Sequence, residues 1–218
     1  IYTVEHILSA CAGLGIDDLD IVMEGEEPPA ADGSALPFAE TLKAAAMTEK
    51  TSQERRVLPL HEPVAYAFEK TFYRAEPSDR PLFRITFAHP HPLIGPQTFE
   101  FAMTPDAYLR EVAPARTFGF RNELEQLKAA GLALGGTLEN AVVVDDAAFL
   151  SAEGALRFPD ELVRHTPVFW KNYVWPRLNG EYRKLYQFLS HPYPDGPNHY
   201  LERIQSNLAR LSRRIAQT

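Results

Sequence analysis

Two hydrophobic periods alternate irregularly along this chain, and that mixture restricts its fold more than any other feature. In the opening fifteen residues Val4, Ile7, Leu8 and Cys11 recur at the three- and four-residue spacing of an amphipathic helix. Thr3 stands where a cap would start that helix, and Gly13 or Gly15 where one would end it. Leu19, Ile21 and Met23 then alternate as in a half-buried strand, and Glu24 to Ser34 is rich in turn formers, with Pro28, Pro29, Asp32 and Gly33. Pro37 suits the first turn of a second helix running through Leu42 towards Met47. Beyond a polar stretch at 48–56, the segments 57–68, 82–87 and 98–102 read as strands. Thr104-Pro105 opens a helix bearing Tyr108, Leu109 and Val112, and another helix spans Asn122 to Ala130 and stops at Gly131. Ala141 to Val144 reads as a short buried strand, and Phe158-Pro159-Asp160 opens a helix with Leu162, Val163 and His165. The two periods follow no regular strand–helix–strand alternation and no repeat, so the expected class is α+β rather than a doubly wound parallel sheet.

The polar stretch marks the expected domain boundary, with 1–50 on one side and 57–165 on the other. Residues 166–218 differ from both: they hold eight Lys or Arg against three Asp or Glu, whereas the preceding 165 residues hold 14 against 26. The overall net charge of −7 argues against general nucleic-acid binding, which needs clustered cations. Leu201, Ile204, Leu208, Leu211 and Ile215 form an apolar helical stripe flanked by Arg203, Arg210, Arg213 and Arg214. Such a stripe packs on its parent domain, on a partner helix or on an anionic membrane surface. No run reaches the roughly 18 apolar residues of a membrane span, and no basic segment followed by an apolar one opens the chain as an export signal would. The single cysteine, Cys11, excludes an intrachain disulfide and reads as a small core residue.

Few residues suggest chemistry by themselves. Glu5-His6 offers a carboxylate base and an imidazole ligand on adjacent helical positions, which a zinc amidase requires and which chance also supplies. His165 reads equally as a ligand or as a solvated helix residue. His89 and His91, in His89-Pro90-His91-Pro92, have a spacing that could hold a metal or simply decorate a loop. No nucleophile elbow is present, and Gly135-Gly136 lacks the Lys and hydroxyl of a phosphate-cradling loop.

Taken in order, several blocks resemble one family. They are Thr3-Val4-Glu5-His6-Ile7-Leu8-Ser9-Ala10, Pro28-Pro29-Ala30-Ala31-Asp32-Gly33-Ser34, Ala115-Arg116-Thr117-Phe118-Gly119-Phe120, Gly131-Leu132-Ala133-Leu134-Gly135-Gly136, Val142-Val143-Val144-Asp145-Asp146 and Leu156 through His165. With their spacing over residues 1–165, they resemble the zinc-dependent UDP-3-O-acyl-N-acetylglucosamine deacetylases of lipid A synthesis. The resemblance implies two small α+β domains, each a sheet packed with helices, around a cleft, the first of them incomplete here. It implies Zn2+ as cofactor, held by His6 and His165, with Glu5 as general base and Thr117 stabilising the oxyanion. It implies substrate contacts at Arg116 and Phe118, and an acyl-chain passage in the insert at about 120–146, with Leu132 and Leu134 along it. The implied substrate is a UDP-linked acylated N-acetylglucosamine, and the implied place of work is the cytoplasm, with peripheral contact at the inner membrane.

The C-terminal quarter departs from the family. Where its helix carries a third zinc ligand, an Asp four residues after the His, this chain has Phe169, and Pro167 is expected to disturb that helix. Thr166 stands in place of a substrate-binding Lys and Tyr173 in place of a second Asp, while His191 and His199 lack the surroundings of the family's later Gly-His signature. The tail therefore reads as an unrelated ending, as a diverged ending in which Asp195, His191 or His199 replaces the ligand, or as the mark of a relative that lost catalysis. The rival to a deacetylase is accordingly an inactive relative or gene fragment that binds a nucleotide sugar or a protein partner.

Overall fold

The computed structural model describes residues 3–45, 60–68, 71–129, 131 and 133–174. The expectations for 48–59, Leu132 and the tail beyond residue 174 lie outside these residues. The chain divides into two compact units, 1–51 with 78–172 and 52–77 with 173–218. Helices and short, mostly antiparallel sheets are segregated as an α+β protein requires.

Helix α1 (Glu5–Leu14) ends at Gly15, whose φ of +73° is the left-handed conformation that a helix stop favours. Its start differs from expectation. Val4 holds the cap position with no side-chain hydrogen bond, and Thr3 lies one residue earlier at a φ of +53°. Its buried face differs too: His6, Ser9, Ala10, Cys11 and Gly13 point inward, while Leu8 is 38% exposed. The small residues win because α1 packs closely against α2 (Leu36–Ala44) and against the helix that carries Tyr108. A methyl group on Gly13 would lie 2.2 Å from the Tyr108 ring, so only glycine permits this approach. Leu19, Ile21 and Met23 are not in a strand, and Leu19 and Ile21 are exposed. Alternation makes a strand only where a neighbour accepts its hydrogen bonds, and none of the described strands pairs with this segment.

In the second unit, β1 (Val64–Phe68) and β2 (Thr71–Ala75) form an antiparallel hairpin. In the first, β3 (Leu82–His89) pairs with β4 (Gly95–Ala102) in register from Leu82↔Ala102 to His89↔Gly95. Ile85, Phe99 and Phe101 line the buried face, and Arg84, Glu100, Thr86 and Thr98 pair across the exposed one, as a period of two demands. Helix α3 (Pro105–Glu111) begins as predicted, with the Thr104 hydroxyl accepting from the Ala107 amide at 3.1 Å. Tyr108 from α3 is fully buried, its hydroxyl 2.8 Å from Ser9 Oγ of α1.

Strand β5 (Phe118–Phe120), helix α4 (Arg121–Ala129) and strand β6 (Val142–Val144) form one parallel crossover, and β7 (Phe149–Leu150) adds an antiparallel edge. Helix α4 and strand β6 answer the helix expected over 122–130 and the strand expected over 141–144, whereas β5 and β7, three and two residues long, leave no period in the sequence. Helix α5 (Glu161–Val174) runs through Pro167 rather than stopping there. Proline removes one amide donor, and the rest of the ladder continues. Val163 and Val168 of α5 join the cluster of Ala10, Ala39, Ile85, Phe99, Tyr108 and Val112, while Leu162 joins a second one with Ile94 and Val144. His165 stands between these anchors.

Candidate active site

The N-terminal turn of α1 and the middle of α5 bring His6 and His165 together, with ring centroids 5.3 Å apart. His165 is fully buried and His6 is 8% exposed. Both belong in place because their helices bury that face: His6 precedes Ser9, Ala10 and Gly13 on the α1 side, and His165 follows Leu162 on α5.

Each ring is kept neutral by its surroundings. Burial lowers the pKa of His6, against the opposing pull of the Asp32 carboxylate and hydrogen bonding to the Gly33 backbone. Burial, reinforced by His6, pushes His165 down to about 3, while the Ala115 carbonyl acts in the other direction. Neutral imidazole is the form that ligates metals. His165 Nδ1 lies 2.8 Å from the Ala115 carbonyl oxygen. A carbonyl only accepts, so Nδ1 carries the proton and Nε2 the lone pair. His6 Nε2 is buried and has no hydrogen-bond partner among the described residues. An orphaned buried ring nitrogen beside a second imidazole is a donor set that fits a metal ion such as zinc. Among the described residues no third His, Cys, Asp or Glu joins the two into a cluster. Phe169 stands four residues after His165 in α5.

Glu5 opens α1 beside His6 and is only half-buried. Burial, then the nearby Glu27 carboxylate, raises its pKa above the ordinary carboxylate range, and backbone hydrogen bonding opposes them. A raised carboxyl pKa is what a general base working near neutrality needs. Thr117 is strapped on both sides: its amide donates to the Gly33 carbonyl at 2.7 Å, and its carbonyl accepts from the Val142 amide at 2.9 Å. Gly33 holds a φ of +79°, and a Cβ on it would lie 1.8 Å from the Asn140 carbonyl oxygen. The turn at 32–34 is therefore glycine-dependent, and Asp32 pins it by accepting from the Ser34 amide and hydroxyl and from Arg157.

Phe118 packs edge-on to His165 at 6.4 Å, and from it ring contacts lead through Phe120 to His89, stacked on Phe120 at 4.3 Å. His89 Nδ1 accepts from the His91 amide, and His91 Nδ1 accepts from the Leu93 amide, so these rings close the β3–β4 turn. With Phe120, Arg121, Glu123 and Asp146 they line a cleft of about 160 Å³. Leu134 is 73% exposed. Arg116 is 1% exposed, and its guanidinium is taken by Glu161 through Nε at 2.9 Å and Nη2 at 3.0 Å. Its side chain is buried and ion-paired within the protein. Sequence reading missed Glu161, Asp32 and Arg157 as members of this neighbourhood; the four-residue step from Glu161 to His165 was the available signal.

The family model described as "LpxC: UDP-3-O-acyl N-acetylglycosamine deacetylase" matches residues 1–167. Among curated relatives, a UDP-3-O-acyl-N-acetylglucosamine deacetylase of Nitratidesulfovibrio vulgaris is 48% identical over 165 residues, covering 75% of this chain and 52% of that protein. Proteins of the same name from Anaeromyxobacter and Campylobacter curvus are 44% and 42% identical, over 53% and 55% of their own lengths. The chain thus spans about half the length of the curated relatives it matches.

Proposed function

The chain belongs to the LpxC family of deacetylases, and from that premise we propose that its fold serves zinc-dependent hydrolysis of the acetamide of a UDP-linked, acylated N-acetylglucosamine. The observation that carries this reading is the pair of buried, neutral imidazoles facing each other beside Glu5. His6 and His165 would hold the zinc, and among the described residues no third donor joins them. When bound, zinc lowers the pKa of a water molecule and polarises the amide carbonyl. Glu5, with its raised pKa, takes a proton from the attacking water and can return it to the departing amine. Thr117, fixed by Gly33 and Val142, stabilises the oxyanion as the carbonyl becomes tetrahedral. Phe118, Phe120 and the cleft beyond them offer aromatic faces and charged groups to the body of the substrate. The division of the sequence at 50–57, an acyl passage at about 120–146 and a cytoplasmic place of work belong to the same proposal. No helix among the described residues is long and apolar enough to cross a membrane.

A second reading has one observation in its favour. Phe169 occupies the position of the family's third ligand, as in a relative that binds a nucleotide sugar without turning it over. Metal analysis with an acetate-release assay separates the two. The expected result is about one tightly held zinc per chain, lost in both His6→Ala and His165→Ala, with acetate released from the acylated substrate. Zinc retention without acetate release favours the inactive relative, and a chain that keeps no zinc sinks the deacetylase reading.

A further inference from the structure

Glu161 and His165 stand one turn apart on α5, so both side chains leave the same helix face. They grip the two ends of a single amide. His165 Nδ1–H donates to the Ala115 carbonyl at 2.8 Å, and Glu161 Oε1 accepts from the Arg116 N–H at 2.9 Å. That carbonyl and that N–H belong to one peptide bond. Glu161 is fully buried and accepts further bonds from Arg116 Nε and Nη2 and from the Arg157 amide, the last at 2.7 Å.

We propose that Glu161 is a positioning residue that acts through the Ala115–Arg116 peptide. It holds His165 in the form protonated at Nδ1 and fixes the approach of the next residue, Thr117. The arrangement is a carboxylate–peptide–imidazole relay. An anion at the N–H end of an amide strengthens its carbonyl as an acceptor, because hydrogen bonds in series polarise one another in a low-dielectric interior. An acceptor behind a ligating imidazole sets its tautomer and raises the basicity of the distal nitrogen, and losing such a partner typically costs about tenfold or more in metal affinity. Arg116 supplies the counter-charge that offsets the cost of burying the Glu161 carboxylate. Arg157 braces the assembly, since its amide donates to Glu161 while its side chain reaches the Pro114 carbonyl and Asp32. The relay's importance for catalysis rests on the reading of His6 and His165 as metal ligands, but the relay itself exists without metal.

The test is long-range 1H–15N spectroscopy of the histidine rings in the metal-free full chain near neutral pH, with zinc affinity measured on the same samples. The wild-type His165 ring should appear as the Nδ1–H tautomer. In Glu161→Gln the ring should shift to a mixture of tautomers and zinc affinity should fall about tenfold. Asp160→Asn, which breaks the 2.6 Å Asp160–Arg164 pair on the same helix, should leave both unchanged. Should Glu161→Gln not fold, Glu161→Asp carries the comparison, since its shorter arm keeps the charge and withdraws from the peptide. Should neither fold, the wild-type ring decides. A wild-type ring in the Nε2–H form overturns the proposal, as does a folded Glu161 variant with an unchanged tautomer and unchanged zinc affinity. A tautomer that follows Glu161 in a chain that binds no zinc supports the relay and defeats the metal reading, so the two fail separately.

Discussion

The two helices that carry the paired histidines are held by different physics. Helix α1 is seated by shape: Ala10 and Gly13 let Tyr108 approach the backbone, and the hydroxyl–hydroxyl bond from Ser9 to Tyr108 fixes its rotation. Helix α5 is seated partly by charge. Glu161 pairs with Arg116 in the interior, and Arg164 bonds Asp160 while stacking over the Phe99 and Phe158 rings at 4.3 and 4.7 Å. A shape-held helix fails by overpacking, whereas a charge-held helix fails when one partner is left alone in the interior. The same kind of side chain thus arrives at one point by two routes with separate weaknesses.

The contrast predicts the largest loss on the charged side. Glu161→Leu, which leaves the buried Arg116 cation with only the half-exposed Glu153 carboxylate at 3.5 Å and the Ala155 carbonyl, should cost about 3–5 kcal/mol in urea unfolding. Replacing both partners, Arg116→Met with Glu161→Leu, should recover much of that loss; a double variant no better than the single one would show that hydrogen bonds to the peptide, not charge, hold α5. On the shape side, Gly13→Ala drives a methyl into Tyr108 and should cost about 1–3 kcal/mol. Tyr108→Leu, which shrinks the partner, should be tolerated better in combination with Gly13→Ala than its separate cost suggests. A double-mutant cycle would measure that difference as coupling. Tyr108→Phe, which removes the hydroxyl bonded to Ser9, should cost about 1 kcal/mol and leave the m-value unchanged.

The acid limb of stability sharpens the comparison further. The unfolded His165 ring protonates near its ordinary value of 6.5, whereas the folded ring refuses the proton down to about 3. The unfolded state therefore binds more protons below 6.5, and metal-free protein should lose stability as pH falls through that window. Asp32 acts lower. Burial raises its pKa, but Arg157 and Ser34 together outweigh burial and leave it below 3.8. Its contribution is complete above 3.8 and fades as pH falls through the lower folded value. Substituting His165→Asn should flatten the upper part of the acid limb, and Asp32→Asn the lower part, in titrations of urea midpoints.

Much of this was legible in the residues, and the failures have a common cause. Thr104 before Pro105, Gly15 and Gly131 after helical runs, and the opening of α5 at Glu161 were readable because caps and stops act within a few residues. The pairing of His6 with His165 was readable only through resemblance, since 159 positions separate them. Leu19 to Met23 misled because alternation records a preference, while a strand needs a neighbour. The buried pair of Arg116 with Glu161 was not readable, because its partners stand 45 positions apart. Strands β5 and β7 were too short to leave any period at all.

Local chemistry in the sequence determined where helices begin and end, which hairpin residues alternate inward, and which residue types are available for metal chemistry. Those are interactions between near neighbours, and the order of residues encodes them directly. Only the tertiary structure decided that α1 presents small residues and His6 inward, that Arg116 turns away from solvent, and that one peptide lies between Glu161 and His165. Each of these depends on close packing and on burial, which set the value of a charge or a hydrogen bond, and neither has a value until distant segments meet.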